Sequence, residues 1–428
     1  MRPRDYRVAM NGPVPLPSRT NVAALAERAV SAVTRAAMRA ADVVGPVQLD
    51  ADRVATAYTS ERWLRVGGRP PVAFAPLSAF FRVADGWVRT HANYPHHRAA
   101  LASALRLSED ADVDAVAHEL ARWTSASAVR AISVAGGLCV AVRVPDPTVD
   151  DALRRHPLVA VTQLGAARPR PLPDAARAAP LRGIRVLDLT RVIAGPIATR
   201  TLALLGADVL RIDPPFLPEL SAQHLDTGHG KRSALLDVGS DEGAAQLTRL
   251  LADADVVALG YRPAALARLG LSPTALALAH PGVIVLQLSA WGDPQRRGFD
   301  SLVQAESGIA LLESATTAPG ALPAQALDHS AGYLLAAAAI DLLVRRATEG
   351  GSWLAETSLR RVAAELIGLP RHTTPTADIR DSDSQAHLQE FLVQRQLLRT
   401  AAPAVQYSGG PAAFRAPRPW GGDEPVWR

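Results

Sequence analysis

The chain has 428 residues, 48% of them hydrophobic and 20% charged, and a net charge of +5. That length suggests two or three domains with a large apolar core. Lys and Arg form no long run and aromatic residues make up only 5%, which argues against a nucleic-acid surface.

Taken in order, the chain begins Met1-Arg-Pro-Arg-Asp-Tyr, which leads into no apolar signal region. A cytoplasmic protein without membrane contact is expected. The apolar stretch 331–344 is too short to span a bilayer and contains Asp341. An alanine-rich helix is predicted over 21–44. Residues 77–90 read as a β-hairpin turned at Ala84-Asp85-Gly86, with Phe80, Val83 and Val88 at apolar strand positions. Helices follow near 95–105, 112–124 and 127–134, then a strand over 138–144. Cys139, the only cysteine, lies in that strand. One cysteine allows neither an internal disulfide nor a cysteine-based metal site. Residues 1–155 thus read as a smaller α+β domain.

Residues 156–180 read as a linker, rich in Pro, Ala and Arg from Arg168-Pro-Arg-Pro-Leu-Pro onward. Apolar strands are then predicted at 184–189, 208–212, 234–236, 256–259 and 283–288. Helices lie between them, at Pro196, at 240–253 and at 333–347. Such alternation predicts an α/β domain over 181–369, a Rossmann-like parallel sheet with helices on both faces. Pro196 suits the first turn of its helix, where a missing N–H costs nothing. The remainder, 370–428, reads as an extended tail interrupted by one helix over 384–399.

In such a sheet ligands bind beyond the carboxyl ends of the strands. The glycine fingerprint of dinucleotide binding is absent after the first strand, where the sequence is Thr190-Arg-Val-Ile-Ala-Gly195-Pro. Gly228-His-Gly-Lys231-Arg232-Ser233 holds the only lysine of the chain beside an arginine and two glycines. It is either a glycine turn with solvated charges or a place for an anion. Asp328 opens a long apolar helix. It is either a helix cap or a carboxylate held ionised by the helix's positive end. The histidines show no metal-ligand spacing, so no metal is expected.

The run from Leu181 through Arg-Gly-Ile-Arg-Val-Leu-Asp-Leu-Thr-Arg-Val-Ile-Ala-Gly-Pro resembles the opening of family III CoA-transferases. Gly230-Lys-Arg-Ser233, Tyr261-Arg-Pro263, Gly298-Phe-Asp300 and Asp328 follow in that family's order. Phe81-Arg-Val-Ala-Asp-Gly-Trp87 is similar to the start of the family's smaller domain, which here precedes the large one. The chain reads as the back half of one copy joined to the front half of another. The resemblance implies a homodimer, though the changed order puts the family's interlocked rings in doubt.

The resemblance implies CoA transfer between an acyl-CoA and a carboxylic acid, with coenzyme A as co-substrate and no tightly bound cofactor. Asp328 falls at the family's catalytic aspartate. It would attack the thioester to give a mixed anhydride, then carry CoA as an aspartyl thioester. Arg191, Val192, Ala194, Lys231, Arg232, Tyr261, Arg262 and Arg268 would contact CoA. Gly67 and Gly68 are candidates for an oxyanion loop. The family's Asn before the aromatic is Gly260 here, and a loop position that often carries Gln is Ile193. The related racemases have a histidine where this chain has Phe299, and a phenyl ring accepts no proton. Two other readings stay open: a CoA-thioester racemase or isomerase using other groups, and a CoA-binding protein without turnover.

Overall fold

A computed structural model describes residues 8–428 except 73, 373 and 376. Its centre is a seven-stranded sheet. From one edge the order is Arg232–Leu235, Asp208–Asp213, Arg185–Leu189, Val256–Leu259, Ile284–Ser289, Ser352–Ser358 and Ala160–Gly165. The first six run parallel and the last is antiparallel. Leaving out that edge strand, the chain order is 3-2-1-4-5-6, the doubly wound order of Rossmann sheets. Alternate residues enter two cores: Val186, Val256, Ala258 and Ile284 point to one face, Leu187, Val257, Leu259 and Val285 to the other. Both faces are therefore buried, as continuous apolar strands require. The expected α/β sheet is borne out by this topology.

One face is covered by helices Ala194–Leu204, Ala326–Glu349 and Leu359–Gly368, the other by Asp241–Ala252 and Pro273–Ala279. Helix Ala326–Glu349 is long and apolar enough to cross a bilayer, but its apolar window is 83% buried in the protein core. It crosses helix Ala194–Leu204 at Gly332, where an added Cβ would sit 2.6 Å from the Ala194 carbonyl oxygen and 2.7 Å from Ile197 Cβ. Gly332→Ala is expected to cost about 1–3 kcal/mol in urea denaturation, because neither backbone can withdraw.

The cores divide the chain elsewhere than at residue 155. Helix Val22–Ala40, capped by Asn21, packs into the large core against Ala326–Glu349 and does not belong to the small module. Its buried stripe of Leu25, Ala29, Val33 and Ala36 recurs every three to four residues and is complementary to the alanine-rich partner helix. The small module proper is the sheet Phe80–Val83, Gly86–Thr90 and Cys139–Ala141 with helices Pro95–Ala104, Val113–Leu120 and Ser125–Val134. Leu138 and Val140 turn away from its core to meet Leu302 and Ala305 of helix Asp300–Glu306. That contact fixes the module over the carboxyl ends of the large sheet.

Two further expectations are corrected. Within the expected linker, Ala160–Gly165 forms the antiparallel edge strand, and only the proline-dense part beyond it is irregular. The helix expected over 384–399 is a β-hairpin, Leu388–Val393 with Gln396–Ala401. Its two-residue turn puts Gln394 and Arg395 at φ +47° and +65°. The second strand pairs with Arg65–Val66, more than three hundred residues earlier, a long-range pairing that overrides local helix propensity. Downstream, Trp420 Nε1 donates to Asp213 Oδ2 at 3.0 Å and Trp427 Nε1 to the Leu250 carbonyl at 2.9 Å, so the tail is fastened along the sheet edge.

Candidate functional site

Two cavities meet at Asp328. The larger, about 320 Å³, is an open cleft at the switch point of the sheet, between the loops that follow Leu189 and Leu259. Arg191, Val192 and Ala194 line it from the first loop, Tyr261 and Arg262 from the second. Arg296 and Arg297 add a third side, and Tyr94, His96 and His97 close it from the small module. The smaller cavity, about 80 Å³, lies on the other side of Asp328, walled by Phe299, Ile193, His91 and Glu61 among others.

Asp328 is not the helix cap. The cap position is Gln325, and Asp328 is the third helical residue, 7% exposed. Asp300 instead closes the helix from outside: its Oδ2 accepts the Asp328 N–H at 2.9 Å, and the Leu327 N–H also donates to it. Gln304 Nε2 donates to Asp300 Oδ1 at 2.5 Å, and Gln304 Oε1 accepts the Leu322 N–H at 2.9 Å. The two carboxyls titrate as a pair. Burial pushes both up, and the Asp300 charge pushes Asp328 further. Asp300 holds hydrogen bonds that favour its anion, so it ionises first. Asp328 is ionised only well above the ordinary carboxylate range. A rate that needs this anion falls on the acid side at a correspondingly high pH. Asp300→Asn removes the like charge, and its pH–rate profile is expected to show the acid limb displaced to lower pH.

The first loop is held from behind. Asp188 accepts the Thr190 N–H at 3.1 Å and the Thr190 and Thr199 hydroxyls at 2.5 and 2.6 Å. Lys231 Nζ donates to Asp188 Oδ2 at 3.0 Å, both side chains being almost fully buried. Burial brings the ammonium down to about 8 against the opposing attraction of Asp188. On the other side Glu219 accepts the Tyr94 hydroxyl at 2.6 Å, Arg211 Nη2 at 2.9 Å and the Val192 N–H at 3.2 Å. Burial opposes its charge, yet Arg211 and Arg191 hold it down at about 2. Val192 has φ +70°, rare for a β-branched residue, and Glu219 holds that strained turn in place. The short residue at Gly260 also has a reason: a Cβ there would press on Thr190 Cβ at 3.0 Å.

Of the residues expected to hold CoA, Arg191, Val192, Ala194, Tyr261 and Arg262 come together in the cleft. Lys231 and Arg232 do not. Lys231 supports the loop from within the core, and Arg232 forms a two-pronged ion pair with Asp208. Arg268 is exposed outside the cleft lining, donating to the Ala264 carbonyl at 3.2 Å. Gly67 and Gly68 form a left-handed turn, φ +57° and +80°, and line neither cavity at Asp328. The Gly67 N–H donates to the Leu397 carbonyl at 2.9 Å, so it is unavailable to an oxyanion.

Sequence reasoning passed over Glu219, Arg296 and Arg297, gave Asp300 no role beyond its place after Phe299, and set the histidines aside. His91 stacks on Phe299 with ring centroids 3.7 Å apart and lines the small cavity with Asp328. Burial pushes His91 and His97 down to about 3, so both imidazoles are neutral. Arg262 and Arg297 lie close enough to repel, and among the described residues neither forms an ion pair with a carboxylate. Among the described residues no cluster of three or more metal-ligand side chains occurs.

Residues 181–400, just over half of the chain, match the model of CoA-transferase family III. The chain is 32% identical over 213 residues to a "Probable fatty acyl-CoA transferase" of Mycobacterium tuberculosis, covering 46% of this chain and 54% of that protein. It is 30% identical over 187 residues to the human succinyl-CoA:glutarate CoA-transferase, covering 40% and 43%. An acetyl-coenzyme A transferase of Hypoxylon pulicicidum is 33% identical over 195 residues, covering 42% and 32%. This chain thus spans about half or less of the length of these curated relatives. A crystal structure of the M. tuberculosis protein aligns with a TM-score of 0.41 at 32% identity, over 44% of this chain and 57% of that one. A CAIB/BAIF family protein from Brucella suis aligns at 0.41 and 24% identity, over 53% and 66%. With the match running across both cleft loops and Asp328, the chain belongs to CoA-transferase family III.

Proposed function

We propose that this protein is an acyl-CoA:carboxylate CoA-transferase with Asp328 as its nucleophile. A buried carboxyl at the junction of an arginine-lined cleft and a smaller cavity supports this reading. The cleft receives CoA and the cavity receives the acyl group. An Asp328 oxygen attacks the thioester carbonyl, the C–S bond breaks, and CoA leaves as thiolate. The thiolate then attacks the Asp328 carbonyl of the resulting anhydride, releasing the first acid and leaving an aspartyl-CoA thioester. The incoming carboxylate attacks that thioester, and CoA thiolate finally attacks the new acyl carbonyl and restores Asp328. Every step exchanges one acyl bond for another, so water must be kept out. The small module, whose His91 stacks on Phe299 in the cavity wall that also holds Asp328, supports that exclusion.

Arg262 and Arg297 repel each other and pair with no carboxylate among the described residues, Arg297 Nη2 donating only to the Gly136 carbonyl at 3.0 Å, and they suit the phosphates of CoA. Arg262→Ala and Arg297→Ala are each expected to raise KM for an acyl-CoA about tenfold, with kcat little changed, as loss of one charged hydrogen bond implies. Steady-state kinetics with saturating acid checks this. An unchanged KM in the double variant would remove the phosphates from this part of the cleft.

A second reading is favoured by one observation. His91 is a neutral imidazole on the wall shared with Asp328, so a two-base proton transfer at the α-carbon of an acyl-CoA is chemically open. Exchange of α-hydrogen for solvent deuterium, without CoA transfer to any acid, would select it.

A further inference from the structure

The lining of the smaller cavity differs sharply from that of the cleft. Among the described residues it includes the carboxyls of Glu61, Asp226, Asp300 and Asp328, and neither lysine nor arginine. Two cations act on it from behind the wall: Arg62, paired with Asp378, draws Glu61 down, and Arg200, whose Nη1 donates to the Asp226 carbonyl oxygen at 2.6 Å, draws Asp226 down. His91 and His329 bring no positive charge, since burial pushes both down to about 3. Burial pushes the Glu61 carboxyl up to about 7 and raises Asp226, so Glu61 adds its negative charge to the wall above about pH 7 and the like-charge argument applies there. A second carboxylate brought into this cavity would meet a lining of carboxyls with no lysine or arginine among its described residues, a placement that like charge disfavours.

The same wall lacks hydrogen-bond partners. Asp226 Oδ1, His91 Nδ1, His329 Nδ1 and Ser301 Oγ are buried and unpartnered, in residues that are each 7% exposed or less. Buried polar atoms in folded proteins are nearly always satisfied, so four orphans in one wall mark it as short of partners, although these atoms are covered and do not themselves face the cavity. With carboxyls predominating in the lining, the occupant that suits it is a hydrogen-bond donor. Apolar residues, Ile193, Leu64, Val72 and Phe74, complete the wall and suit the carbon chain between donor and carboxyl.

We infer that the acid handled at Asp328 is a short monocarboxylic acid carrying a hydroxyl or ammonium group, and that dicarboxylic acids are rejected. This rests on the CoA-transfer reading for the role of Asp328, but the cavity's preference is separable from it. The relatives named for succinyl-CoA and glutarate would then differ from this chain in the acid they take.

The test compares four matched acids: propionate, malonate, 3-hydroxypropanoate and β-alanine, with succinate and glutarate added. Transfer from acetyl-CoA is followed by mass spectrometry of the CoA thioesters. Binding of each acid to CoA-saturated Asp328→Asn protein, whose side chain is neutral like the acylated form, is followed by calorimetry. 3-Hydroxypropanoate and β-alanine are expected to exceed malonate and propionate by about tenfold or more in both kcat/KM and affinity. Glu61→Gln combined with Asp226→Asn is expected to shrink the margin over malonate to about threefold or less, by removing the like charge. If the donor-bearing acids bind with this preference but the wild type transfers CoA to none, the CoA-transfer reading falls and the cavity assignment stands. Malonate, succinate or glutarate binding or reacting as well as β-alanine overturns the inference. Propionate matching 3-hydroxypropanoate, or no acid binding at all, overturns it too.

Discussion

Asp328→Asn is expected to lower the rate of CoA transfer by at least about a thousandfold, the scale of losing a covalent nucleophile. The amide keeps the shape and the backbone N–H that Asp300 accepts, so the fold and the affinity for an acyl-CoA should survive. The expected signature is therefore a collapse of kcat with KM nearly unchanged. A structural role would behave differently. Had Asp328 capped its own helix, Asn would replace it with little effect, because Asn caps as well as Asp does. The cap is supplied from outside by Asp300, which leaves the Asp328 oxygens without a task inside the fold.

Lys231→Met is expected to destabilise the protein by about 3–5 kcal/mol, because it leaves the buried Asp188 carboxylate without its ammonium partner. Urea denaturation reads this directly. Asp188 would still hold the Thr190 and Thr199 hydroxyls, but a charge would remain in a fully buried position. Lys231→Arg should also destabilise, since a planar fork does not fit where a compact ammonium reaches one oxygen at 3.0 Å. That gives a physical account of why an arginine-rich chain keeps a lysine at this one place. A Lys231→Met protein that is fully stable yet binds CoA poorly would contradict the buried-pair role and return Lys231 to the cleft.

How much of this was legible in the sequence follows from the range of the forces involved. The parallel sheet was readable because each strand is a short apolar run that needs burial on both faces, as in Val256–Leu259. Asp328 and the loop 191–194 were readable through resemblance, and the cleft brings them together. The helix Val22–Ala40 was found, but not its place, since an amphipathic stripe does not name its partner. The hairpin at 388–401 was missed because its second strand is completed by Arg65–Val66, far away in the chain. Lys231 and Arg232 were misplaced for a related reason. A Gly-Lys-Arg segment shows its charges, but not the Asp188 and Asp208 that neutralise them. Glu219 had no sequence signal at all. Its five-way role exists only once Tyr94, Arg191, Arg211, Val192 and Leu220 converge on it.

The central claim is that Asp328 forms a covalent acyl bond during turnover. The most direct measurement is mass spectrometry of the Asp328 peptide after the protein is mixed with acetyl-CoA and quenched with hydroxylamine. Hydroxylamine converts an aspartyl anhydride or thioester to a hydroxamate and leaves a free carboxyl alone. The account predicts a hydroxamate on Asp328, dependent on the acyl-CoA and absent from Asp328→Asn. Full CoA transfer with no modification at Asp328, or undiminished transfer by Asp328→Asn, would contradict it.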